Sequence, residues 1–131
     1  MLTGGEPFLR RDLDQIVAIF YKRCKIYHVT LTSNGMYPGR ADKFVDKLFK
    51  QHPKLTLNLG ISIDSVREEH DKIRETTNNY ELLTETIELI RKHQKTYPNL
   101  SLKAHTVLSK QNAPRFDEIA AEVKRLGVNM H

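Results

Sequence analysis

Five short stretches of this 131-residue sequence carry side chains whose types and spacing suit the handling of a small ligand. They are Gly4-Gly5-Glu6-Pro7, Ser33-Asn34-Gly35, Ser62 with Asp64, His70 to Arg74, and Ser109 to Asn112. In the first, two glycines let the backbone pass close to a ligand with its polar groups available, and Glu6 offers a carboxylate to a cation such as an ammonium. Pro7 stiffens the exit. A plain strand-to-helix turn with a solvated acid reads the same way. The stretch is not a phosphate loop, because the downstream Lys-Ser/Thr of that pattern is missing.

Ser62 and Asp64 fall on one side of an extended chain with Ile63 on the other, an arrangement that suits hydrogen bonds to sugar hydroxyls. The alternative is a turn in which Asp64 caps the following segment. His70, Asp71 and Arg74 fit a short helix, where Arg74 either grips a ligand carboxylate bidentately or shares a solvated face with His70. His70 and Asp71 are too few for a metal site. Lys103 and His105 alternate with Leu102 and Ala104, so both face one side. That side is either a lined interior, where they need partners, or water. Cys24 is the single cysteine, set among Lys22, Arg23 and Lys25 with no base to activate it. An intrachain disulfide and a multi-cysteine metal site are thereby excluded.

Two alternating periodicities would position these residues. Ile26 to Thr32, Leu55 to Ile63 and Leu100 to Leu108 are rich in β-branched and apolar residues and read as strands. Between them lie helical patterns. One starts at Asp12, where Gln15 completes a capping box, and a second runs from Ala41 to Phe49. A third is capped by Asn78 with Glu81, and a fourth begins near Pro114 and stops at Gly127, with Val128 to Met130 as a new strand. The expected fold is α/β, with alternating βα units building a parallel sheet that curls toward a barrel; a doubly wound sheet is the competitor. In such folds ligands meet the carboxyl ends of the strands, where the five stretches fall. The chain opens on the end of a strand and closes on the start of another, so it is expected to be one incomplete domain over residues 1–131, cut from a larger sheet.

A hydrophobic content of 39% and a charged content of 28% are ordinary for a globular protein, and no apolar run reaches the roughly 20 residues of a membrane helix. Without a basic-then-apolar leader, a cytoplasmic location is expected and no membrane partner. The net charge of +5 comes from Lys and Arg scattered over every helix, so no nucleic-acid partner is expected.

Taken in order, LTGGEPFLR, TLTSNG, ISIDS, EEHDKIRETTNNYELLTETI and TVLSKQN resemble the radical S-adenosylmethionine (radical SAM) enzymes. The likeness is strongest to the branch with cofactor-maturing, peptide-modifying and molybdenum-cofactor-type members. It implies a partial (β/α)6 barrel of TIM type, in which a [4Fe-4S] cluster cleaves S-adenosylmethionine to a 5'-deoxyadenosyl radical that takes a substrate hydrogen. By the same resemblance Gly4, Gly5 and Glu6 bind the methionine amino group, and Ser62 contacts the ligand with Asp64 on the ribose side. Arg74 approaches the methionine carboxylate, while Asn34, Lys103 and His105 face cofactor or substrate. Two departures stand out: the CxxxCxxC loop of the cluster is not in this sequence, and Asp64-Ser65 replaces a frequent Asp-Gly.

The expectation is therefore the central part of such a core, from the end of its second strand to the start of its sixth. It would bind S-adenosylmethionine without performing the radical chemistry, act on an unknown substrate in its parent, and self-associate through exposed sheet edges. Two other readings stay open: a non-catalytic interaction or regulatory domain derived from the same barrel, and a conventional barrel aldolase or isomerase using Lys103 or Glu6.

Overall fold

Four extended stretches pair in chain order into a single parallel sheet in the computed structural model, which describes residues 1–2 and 5–130. The strands are β1 (His28–Ser33), β2 (Thr56–Ser62), β3 (Leu100–His105) and the two-residue β4 (Asn129–Met130). Helices α1 (Leu13–Cys24), α2 (Pro38–Gln51), α3 (Glu68–Ile73), α4 (Asn79–Gln94) and α5 (Phe116–Arg125) fill the connections. Leu2 adds an isolated parallel bridge to Leu31 on the free side of β1, with its N–H donating to the Thr30 carbonyl at 2.7 Å. Sequential order with right-handed crossovers sends every helix to one face. This is the expected α/β fold of alternating βα units, consistent with part of a TIM-type barrel.

Register explains why one sheet face is dry. Val29, Leu57 and Leu100 lie side by side, as do Leu31, Leu59 and Leu102, and Ser33, Ile61 and Ala104. All nine are buried, and α2 and α4 cover them with Ala41, Phe44, Val45, Leu48, Leu83, Ile87 and Ile90. At roughly 25 cal/mol per Å2 of apolar surface removed from water, this single layer dominates the stability of the fold. His93 on α4 meets Asp42 on α2 at 2.8 Å, and Phe49 stacks on Tyr97 at 4.7 Å, closing the bottom of that layer.

Several boundaries differ from the expected ones, each for a local reason. Helix α2 begins at Pro38 rather than Ala41, because proline suits a first helical turn whose N–H has no acceptor. The Asp12 capping box does not form, since Arg10 takes both carboxylate oxygens at 3.0 and 2.8 Å. Asn78 precedes α4 in a left-handed conformation (φ 59°) without a side-chain cap, and Asp71 Oδ1 accepts from the Tyr80 N–H at 2.8 Å instead. Strand β3 stops at His105, since the Val107 N–H turns away to Asp64 Oδ1 at 2.9 Å. Strand β1 runs over His28–Ser33, two residues later at its start than expected, because Lys25 (φ 55°) closes α1 with its N–H on the Phe20 carbonyl.

Candidate functional site

At the carboxyl end of the sheet, Glu6 joins two chain segments. It precedes a short 3-10 turn at Pro7–Leu9, and its Oε1 accepts from the Phe8 N–H at 3.0 Å and from Ser33 Oγ at 2.9 Å. Oε2 accepts from the Asn34 N–H at 2.7 Å. Three of the carboxylate's roughly four acceptor positions are thus filled from within the chain. No cation of the described residues pairs with it, so its negative charge remains available to a ligand. Ser33 Oγ also accepts from the Gly35 N–H at 3.0 Å, and Asn34 Oδ1 accepts from the Met36 N–H at 2.9 Å. Gly35 (φ 78°) is required here: a Cβ would lie 2.6 Å from Leu83 Cβ. Gly5 is exposed with open space around it, and Gly4 lies outside the described residues.

The end of β2 forms a second knot. Asp64 is buried; its Oδ1 accepts from the Val107 N–H, and its Oδ2 lies 2.7 Å from Arg74 Nε as an ion pair whose N–H is off the line of a hydrogen bond. The Asp64 N–H donates to Nδ1 of the fully buried His70 at 3.1 Å. That bond fixes the neutral imidazole with its proton on Nε2. Burial, and then the Arg74 charge, hold the His70 pKa below its ordinary value of 6.5 against the opposite pull of Asp64 and Asp71. Asn112 ties the next loop in: its Nδ2 donates to the Asp64 carbonyl at 2.8 Å and the Val107 carbonyl at 2.9 Å, while its Oδ1 accepts from the Ser109 N–H at 2.7 Å. Thr106 Oγ1 donates to the Ile63 carbonyl at 2.7 Å.

The face of the sheet turned away from the helices is polar throughout. Thr30, Asn58 and Ser101 stand in one row, Thr32, Gly60 and Lys103 in the next, and Ser62 beside His105 in the last. Asn129 pairs with Lys103 at the far edge. A Cβ on Gly60 would lie 2.7 Å from His105 Nε2, so the glycine makes room for the imidazole. Lys103 and His105 therefore share a face with Ser62, as their alternation predicts. Thr30, Thr32, Asn58 and Ser101 were not singled out from the sequence, although the same period of two marks them.

The expected site residues sort into two groups. Glu6 and Asn34 are tied to each other, and Asp64 to Arg74, while Ser62, Lys103 and His105 line the polar face. The Arg74 guanidinium lies against Asp64 at Nε, and its side chain is partly exposed. A rim of hydrogen-bonding groups over a wet sheet face can hold a polar ligand with both ammonium and hydroxyl groups. No cluster of three His, Cys, Asp or Glu side chains suited to a metal occurs among the described residues. Cys24 is exposed at the end of α1, so the residues of this chain do not fit a cluster that needs three thiolates. None of the described helices is long and apolar enough to cross a membrane.

A family model described as the Radical SAM superfamily matches residues 1–123. A GTP 3',8-cyclase of Stenotrophomonas maltophilia (strain R551-3) is 36% identical over 81 residues, covering 56% of this chain and 23% of that protein. A GTP 3',8-cyclase of Staphylococcus aureus (strain JH9) is 29% identical over 114 residues, covering 83% of this chain and 29% of the relative. The chain spans less than a third of the length of these curated relatives.

Proposed function

The chain belongs to the radical SAM superfamily, and from that premise we propose that it supplies the methionine and nucleoside side of an S-adenosylmethionine site within a longer enzyme. Glu6 carries the reading. Its carboxylate is fixed by three donors from two segments, keeps one acceptor position, and faces no cation of the described residues. A pre-organised anion of that kind suits the methionine ammonium, because ligand binding orders no side chain that is not already ordered. Arg74, steadied by Asp64, presents its terminal nitrogens to the methionine carboxylate. Ser62 offers a hydroxyl to the ribose, and Asn34 and Gly5 border the amino group. Gly4 carries the same proposed role from its sequence position.

Bound S-adenosylmethionine would supply radical chemistry when reduced by an iron-sulfur cluster held elsewhere in the longer enzyme. With one exposed cysteine, residues 1–131 by themselves do not hold that cluster, so the redox step is not assigned to them. What these residues do is bind, orient and shield. The helix-covered face gives rigidity, and Lys103, His105, Asn58, Thr30 and Thr32 present the polar face to the substrate. The relatives are named as GTP 3',8-cyclases, and a nucleotide is accordingly the substrate class proposed for the whole protein. One incomplete domain in the cytoplasm is part of the same proposal.

The test is an NMR titration of the 131-residue chain with S-adenosylmethionine. Weak binding, on the order of millimolar, is expected, since the cluster's chelation of the amino and carboxylate groups is not available from this chain. Shifts should centre on the amides of Gly5, Asn34 and Ser62, and Glu6→Gln should abolish them. Tight micromolar binding, or shifts elsewhere that survive Glu6→Gln, would overturn the assignment.

A further inference from the structure

The surplus of positive charge is not spread evenly. Residues 1–54 contain ten Lys and Arg against five Asp and Glu, while residues 55–131 contain eleven of each, so the whole +5 lies in the first part. Five of those ten cations line an open cavity of about 440 Å3 on the outer helical layer, between the start of α1 and α2. Arg10, Arg11, Arg40, Lys43 and Lys47 line it, with Asp14 as its one carboxylate. The polar sheet face lies across the helix-covered core from this groove.

Pairing does not neutralise the groove. Lys47 meets Asp14, and Arg10 is held by Asp12. Arg11, Arg40 and Lys43 pair with no carboxylate among the described residues. Arg40 is instead fixed in place: its Nη1 donates to the Phe8 carbonyl at 2.9 Å and the Leu9 carbonyl at 3.2 Å, and its Cζ lies 5.3 Å from the centre of the Tyr37 ring. Three unneutralised cations side by side repel one another, at a cost that an anion removes. The floor is apolar, built from Leu13 and the edge-to-face pair Phe8 and Phe44 with centroids 5.7 Å apart. Ligand sites for small molecules are of this size and makeup: an apolar base with a few converging charges.

We propose that the α1–α2 groove is a binding site for a small molecule carrying two or more phosphoryl groups, separate from the S-adenosylmethionine site. Arg11 and Lys43 contact the phosphoryl oxygens, Arg40 provides the fixed donor fork, and the Phe8–Phe44 floor receives an attached base or sugar. Free polyphosphate and a nucleoside triphosphate share this chemistry. The second gains from the floor and the first does not.

Calorimetry of the 131-residue chain at low salt, with inorganic tripolyphosphate and with ATP as probes, tests the site. Both are expected to bind with one-site stoichiometry, ATP the more tightly if a nucleotide is the intended occupant and equally if free polyphosphate is. Arg11→Glu with Lys43→Glu should weaken both by at least about 10-fold, or roughly 1.4 kcal/mol. Lys54→Glu with Lys92→Glu removes the same net charge from exposed sites outside the groove and should change binding less than about 2-fold. Lys103→Gln on the sheet face should leave it unchanged. The proposal is overturned if the two double variants lose affinity equally, if Lys103→Gln abolishes binding, or if neither probe binds. Equal competition by a duplex oligonucleotide would also overturn it, by showing a general polyanion surface.

Discussion

Replacing Glu6 by alanine should unclasp the first two strand ends, and the size of the effect follows from what the carboxylate holds. It accepts from the Phe8 N–H, Ser33 Oγ and the Asn34 N–H at 3.0, 2.9 and 2.7 Å. Hydrogen bonds to a charged group are worth about 1.5–3 kcal/mol each when the group is well removed from water. Glu6 is only half-buried and water can replace part of what is lost, so the sum must be cut by about half. A loss of about 2–4 kcal/mol is expected. For a domain of this size that lowers Tm by roughly 6–16 °C. Glu6→Gln should cost less, about 1–2 kcal/mol, because one oxygen can still serve Phe8 and Ser33 while the amide opposes the Asn34 N–H. Urea unfolding gives the energies, and hydrogen exchange at the Asn34 amide reports the bond directly. A Glu6→Ala protein that melts within about 1 °C of the parent, with Asn34 exchange unchanged, would refute the clasp.

Three further expectations concern other parts of the same frame. His70 is neutral in the fold with a depressed pKa, so the unfolded chain binds more protons between the folded-state pKa and 6.5. Stability should be level above 6.5 on this account, fall as pH drops below it, and level again below the folded-state pKa; His70→Gln should remove that segment from a plot of unfolding free energy against pH, and an unaltered plot would dismiss the role. Gly35→Ala places a methyl against Leu83 at a positive φ, whereas Gly60→Ala meets only the His105 ring at an ordinary strand φ, so costs of about 3 kcal/mol or more and about 1 kcal/mol are expected by chemical denaturation. Asn112→Ala leaves the Asp64 and Val107 carbonyls without their shared donor and should cost about 2–3 kcal/mol, a mutant within 0.5 kcal/mol of the parent arguing otherwise.

Legibility from the sequence divides along physical lines. Periods of two and 3.6 arise from local geometry, so the βα alternation, the three full strands and the common face of Lys103 and His105 could be read without the fold. Gly127 as the stop of the last helix was readable for the same reason: its φ of 69° is one that glycine adopts without strain. The capping roles were not. Asp12 and Asn78 had the right types at the right spacing, but Arg10 and Asp71 decided the outcome, the latter from nine residues away along the chain from Tyr80.

The charge asymmetry, the lone cysteine and the ordered motifs of the radical SAM superfamily belong to the sequence itself, since composition and order need no contacts to exist. The tertiary structure alone decided that Glu6 binds its own chain at Ser33 and Asn34, some 27 residues ahead, and that Asp64 and Arg74 form an ion pair. It also turned scattered lysines and arginines into one groove over a phenylalanine floor. Carboxylates and guanidinium groups choose partners through space, where the distance between two charges is set by packing and not by their separation along the chain.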